Sequence, residues 1–431
     1  MRLISAFLKR FGSLILVGVL IGLVIFILFR YAIPRLFYST QRIGYIGRYE
    51  SDNLPGFVTK LIGNGLTNID AGGNVVANLA SRWEVADNGT TWTFYLDQNK
   101  YWHDGKQVLA SDLTFNFSDV EITYPNNNTI NFKLKEPFSA FGSVVSKPIF
   151  RRGLLGTGEY KVDKIRLNSS LVQEIVLVNN ERQKKIVRFY PTEEAAKTAF
   201  KMGKIDQILE LFDPKPFSEW KTARVEKTTD LEKIVLLFFN TQDDKLADKS
   251  LRQVLTYLID KDKYGERATT PITPFSWAYN PVVKRYDQST QRAQELFDAL
   301  PKELTNDLTI SLITTPALLS VAEDIIKTWQ DFGIKSNVQV ASGIPENHQA
   351  YLAIFEPPKD PDQYALWHST QTGSNISRYT SPRIDKLLED GRKELNQDER
   401  KKIYLDLQRF LVEDTPAAFL YHPTFYNIIR K

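Results

Sequence analysis

The chain has 431 residues, 42% hydrophobic and 12% aromatic, a composition that folds, and its length calls for two or three packed units rather than one core. Fifty-five basic against 51 acidic residues leave a formal charge of +4 with no basic run, which excludes the footprint of a nucleic-acid binder. There is no cysteine, so disulfides, thiolate nucleophiles, cysteine metal sites and a lipid anchor on cysteine are excluded too.

From the N-terminus, "FGSLILVGVLIGLVIFILF" runs uncharged from Phe11 to Phe29, between Lys9-Arg10 and Arg30. About 20 apolar residues cross a bilayer as one helix, so an uncleaved anchor is expected here. "RLFYSTQRIGYIGRYESDNLP" reads as a linker entering a strand. "TWTFYL" alternates, with Trp92, Phe94 and Leu96 on one face, after the Asp87-Asn88-Gly89 turn. His103-Asp104-Gly105 makes a second turn, and Ser111 reads as the N-cap of a short helix with Asp112 in its first turn.

Short strands are expected at "VEITYP", "TINFKL" and "GEYKVDKI", then a helix through "TEEAAKTAFKMGKID" stopped by Gly203. "KIVLLFFNT" is a buried strand, and "LRQVLTYLIDKDKY" has helical spacing at Leu251, Val254, Leu255 and Leu258. "DLTISLITT", the helix "ALLSVAEDIIKTWQDFG", "IKSNVQVA" and a last helix "QDERKKIYLDLQRFLVED" before Pro416 complete an α/β second half.

Catalytic signatures are missing. His103, His348, His368 and His422 stand at no metal-ligand spacing, and there is no H-E-x-x-H, G-x-S-x-G, Walker loop or dinucleotide fingerprint. The reading is of a non-enzyme without a cofactor, whose aromatics in part line a ligand cleft.

"ANLASRWEVADNGTTWTFYLDQNKYWHDGKQVLASDLTFNF" resembles the signature segment of the family 5 extracellular solute-binding proteins, the peptide- and nickel-binding receptors of ABC importers. Its matching positions are Leu79-Ala80…Trp83, Trp92-Thr93-Phe94…Leu96, His103-Asp104-Gly105…Val108 and Ala110…Asp112-Leu113…Phe115. "GTGEY", "AFKMGKID", "FFNTQDDKLADKSLRQVLTYLIDKDKY" and "DPDQYALWHSTQTGSNISRYTSPRIDKLL" are similar to further family motifs, in family order.

The resemblance implies an α/β, two-lobed, periplasmic-binding-protein-like fold with a hinge, preceded by one transmembrane helix. Residues 1–10 would be cytoplasmic and 11–33 the anchor. Lobe I would comprise 41–72 and 150–240, with 73–149 as its reduced β subdomain, and 241–431 would form lobe II with the return to the hinge. The expected function is membrane-anchored, extracytoplasmic capture of peptides or similar solutes by cleft closure, for an ABC permease; a peptide sensor or adaptor is the alternative. The partners are a peptide and permease subunits, with no nucleic acid, for a monomer held at the cell membrane.

The ligand-binding residues implied are Glu356, Asp360, Asp362, Trp367, Asn375, Tyr379, Tyr49, Glu50 and Tyr279. Peptide-binding relatives place an aspartate three residues before an acidic-Pro pair, here Asp360-Pro361. Counting back gives Pro357, so Glu356 is expected to take the peptide ammonium through a one-residue shift.

Overall fold

A computed structural model describes residues 2–27, 39–341 and 343–431. Helix α1 spans Arg2–Ile27, and its apolar run from Phe11 to Ile27 is seventeen residues. Leu14, Leu16, Val19 and Phe26 on it are exposed. Among the described residues no helix is long and apolar enough to cross a membrane. The described apolar run is short of the roughly 20 residues a crossing takes. The anchor expected over 11–33 extends past Ile27 and so lies partly outside the described residues.

The described chain forms two compact units. The first takes the residues up to Ile62 with Gly158–Leu209 and Arg430. In it β1 (Ser39–Ile46) runs parallel to β10 (Gln183–Tyr190), with Ser39 opposite Gln183 and Ile46 opposite Tyr190. β9 (Leu171–Val178) and β8 (Lys161–Asn168) continue the sheet antiparallel beyond β10, while β11 (Gln207–Leu211) joins the other side of β1. Helix α2 spans Gly56–Ile62. Helix α4 (Glu193–Lys201), N-capped by the Thr192 hydroxyl, buries Ala196, Ala199 and Phe200 as it packs on β1 and β10. Gly203 ends it at φ +70, as expected of a glycine stop.

The second unit takes Gly63–Thr157 and Glu210–Ile429. Its smaller part pairs β2 (Thr67–Ile69) with β3 (Val75–Ala77) and builds a four-stranded sheet. The strands are β4 (Ala80–Ala86), β5 (Thr91–Leu96), β7 (Thr129–Leu134) and β6 (Val120–Asn126), in that spatial order. The alternation read in "TWTFYL" holds: Trp92, Phe94 and Leu96 are buried beside Ile130, Phe132 and, from α3 (Phe141–Val144), Phe141. The helix expected after Ser111 does not form. Ala110–Asp112 make one 3-10 turn and Leu113 returns to extended backbone, its side chain in the core. Asp112 instead accepts from the Leu109 N–H and from Trp102 Nε1 (3.3 and 3.2 Å).

The larger part carries a five-stranded sheet in the order β15 (Lys335–Val340), β14 (Thr309–Thr314), β16 (Ala350–Phe355), β13 (Ile234–Phe239), β17 (Ala417–Tyr421). β14 is parallel to β15 and β16, and β13 is antiparallel to both its neighbours. Every residue of β13 is buried, because helices cover both faces. On one face lie α5 (Lys249–Leu258), α6 (Thr290–Asp298) and α8 (Leu319–Asp331), with the short α7 (Lys302–Thr305) in the connection between them. On the other lie α9 (Tyr364–Trp367), α10 (Pro382–Lys393) and α11 (Gln397–Asp414). β12 (Ala223–Thr229) pairs with β18 (Thr424–Arg430).

Candidate ligand-binding site

In α/β sheets ligands gather outside the carboxyl ends of parallel strands, and each unit has one such place. In the first unit β1 and β10 end together, and the chain leaves β1 through Gly47 at φ +135. A Cβ on Gly47 would sit 2.4 Å from the Tyr49 ring, so the close approach of that ring requires glycine. Tyr49 donates its hydroxyl to Ile46 O (3.1 Å) and packs 5.0 Å from Phe189, while Tyr45 packs 4.8 Å from Phe57. Glu50 is exposed and accepts from the Ser170 hydroxyl at 2.7 Å.

In the second unit β14 and β16 run parallel, and β16 delivers the loop from Glu356 to Asp362. Glu356 is exposed. Asp360 is buried and accepts two bonds from Arg400, 2.6 and 2.8 Å. Arg400 also donates to Gly391 O (2.8 Å) and the Tyr404 hydroxyl (3.2 Å). Burial works against its charge, but Asp360 outweighs that and holds the guanidinium more firmly protonated than usual. Asp362 accepts from Arg392 Nε at 2.9 Å and from the Tyr364 N–H at 3.0 Å. Burial pushes its carboxyl up, against the pull of Arg392.

The other expected residues of this unit are each tied into the fold. Trp367 is fully buried and donates Nε1 to Gln363 (2.8 Å), whose amide donates to Pro271 O (2.6 Å). Asn375 closes the turn to Tyr379 with bonds of 2.8 and 3.1 Å. Tyr379 donates to Asp414 (2.6 Å), and burial with that carboxylate pushes its hydroxyl up. Tyr279 is half-buried against the same core. The loop 356–362 and the residues behind it thus share one face of the second unit. Tyr49 and Glu50 belong to the first.

Arg392, Tyr364 and Phe138 were not anticipated. The Arg392 guanidinium lies 3.8 Å over the Tyr364 ring and 5.0 Å from Phe138, and the other ring contact of Tyr364 is His368, stacked at 4.0 Å. Next to this column is a cavity of about 740 Å³ between the small sheet and α9–α10, within the size range of solute sites. Among the described residues no group of three or more acidic or histidine side chains could hold a metal ion.

Residues 74–375 match the family model described as bacterial extracellular solute-binding proteins, family 5 Middle. The chain is 22% identical to the dipeptide-binding protein of Escherichia coli K12, over 83% of this chain and 82% of that one. It is 23% identical to the oligopeptide-binding protein AppA of Bacillus subtilis 168, over 87% and 83%. Among solved structures it is similar to NikZ from Campylobacter jejuni in complex with Ni(L-His), with a TM-score of 0.76 and 23% identity over 91% of this chain and 94% of that chain. AppA of Bacillus subtilis in complex with a nonapeptide gives 0.73, at 18% identity over 91% and 95%. These likenesses show a mixed α/β, two-lobed, periplasmic-binding-protein-like fold.

Proposed function

We propose, since this chain belongs to the bacterial extracellular solute-binding proteins of family 5, that it captures short peptides outside the cytoplasm and presents them to the permease of an ABC importer. The observation that carries this reading is the family match over residues 74–375. Relatives named for dipeptides and oligopeptides support the ligand class. No bond is made or broken; ligand contacts to both lobes would shift an open–closed equilibrium.

Glu356 is the proposed partner of the peptide ammonium, since a buried ammonium left unpaired costs several kcal/mol. The test is calorimetric titration of a free-amine tripeptide and its N-acetylated twin into wild type and Glu356→Gln. Acetylation and substitution should each weaken binding by roughly 2 kcal/mol without adding. Equal affinity in all four combinations would overturn the Glu356 role alone. Failure of wild type to bind any of a panel of di- to pentapeptides would overturn the peptide reading.

The uncharged stretch Phe11–Phe29 supports the finer proposal that the chain is tethered, which raises its effective concentration near the permease. Full-length protein should fractionate with membranes and be cut by protease added to intact cells, while a fragment beginning at Ser39 should be recovered without detergent. Full-length protein recovered in the soluble fraction would rule out the tether.

A further inference from the structure

Lys261, just after α5, is 2% exposed, and its ammonium donates to Thr256 O (2.6 Å), Ile259 O (3.1 Å) and Tyr286 O (2.6 Å). All three partners are neutral carbonyls, so its charge is met by dipoles alone. Arg267 stands close by. Its outer nitrogen reaches Asp262 (3.3 Å) and Asp287 (3.1 Å), but its Nε is buried with no hydrogen-bond partner. An orphaned buried N–H in a native fold demands an acceptor.

That acceptor has a place to sit. A cavity of about 10 Å³ is lined by Lys261, Arg267, Lys284 and Arg285 with Thr256 and Thr269. Such a volume holds one particle of about water size. Four of the twelve lining residues are basic and none is acidic. The countercharges face outward: Asp262 and Asp287 on Arg267, Asp287 on Arg285 (3.5 Å), and Glu413 on Lys284 (3.2 Å). A water would bring two hydrogens into surroundings that already hold a donor in want of an acceptor. A monovalent anion brings only acceptor capacity and neutralises part of the excess charge.

We propose that this cavity is a binding site for a single halide-sized anion, chloride in practice, held principally by Arg267 Nε. The ion joins the segment after α5 to β17, whose Ala417, Ala418 and Phe419 are also in the lining. It is also a counter-ion for Lys261, whose pKa burial, with Arg267, pushes down to about 7.

The test compares the melting temperature of the full chain at pH 6.5 in chloride, bromide and gluconate at equal ~0.2 M concentration, gluconate being too large to enter. Chloride and bromide should raise the wild-type Tm by about 2 °C or more over gluconate. In Arg267→Met, whatever its basal Tm, the curves should superimpose, and Lys284→Met should lose part of the increment. Should Arg267→Met not fold, bromide-soaked wild-type crystals decide, with an anomalous peak expected within hydrogen-bond reach of Arg267 Nε. Identical wild-type curves in chloride and gluconate, an undiminished increment in Arg267→Met, or a cavity without an anomalous peak would each overturn the proposal.

Discussion

Arg400→Met is expected to destabilise the second unit by about 3–5 kcal/mol, because it leaves the buried Asp360 carboxylate without its countercharge, with the Asp362 N–H (2.9 Å) still donating to it. The same change removes one of the two donors to Gly391 O, near the end of α10, the Ser139 hydroxyl (3.0 Å) remaining, and takes the Arg400 bond from the Tyr404 hydroxyl. The pair should not behave as two independent residues. Asp360→Leu combined with Arg400→Met removes both charges, and apolar replacement of a whole buried pair is often close to neutral. The double variant should therefore be more stable than Arg400→Met alone, a non-additivity of 1 kcal/mol or more read from urea midpoints. If the two single costs simply add, the bidentate bond does not hold this loop.

That pair also marks where the sequence stops being readable. Alternation made β5 plain, since Trp92, Phe94 and Leu96 must share a face. The unbroken run "IVLLFF" made β13 plain in the same way. The helix expected at Ser111 failed because its cap and acidic first turn are local signals, while Leu113 is drawn into the core two residues later and the backbone must straighten to place it. Asp360 and Arg400 stand 40 positions apart, and no local pattern joins them. One signal was available. Arg400 occupies the buried stripe of α11 with Tyr404, Leu407 and Leu411, and a basic residue in such a stripe calls for a buried anion. The resemblance names Asp360 and Asp362 as ligand-binding residues; the contacts they make in the fold are ion pairs with Arg400 and Arg392, which only the packed structure supplies.

Lys261 should make the protein more stable as pH rises from neutrality, the reverse of what loss of a surface ion pair would do. Its folded pKa is pushed down to about 7 by burial, from an ordinary value of 10.5. Between those values the unfolded chain binds a proton that the folded chain does not, so stability rises with pH by up to about 1.4 kcal/mol per unit. Below about pH 7 both states carry the charge and the full penalty stays in the fold. Above pH 10 the buried tyrosines oppose the gain: burial pushes Tyr421 up to about 12, so its contribution is lost as it ionises. The usable window is therefore pH 7 to 10. The three carbonyls around Nζ favour the ammonium and pull the other way, which makes the experiment discriminating. Urea midpoints of wild type and Lys261→Met, taken in gluconate so that no small anion intervenes, give the difference free of other titrations. Wild type should gain on Lys261→Met by about 2 kcal/mol from pH 7.5 to 9.5. A flat difference across that range would mean that the carbonyl cage keeps Lys261 charged and that burial does not set its proton affinity.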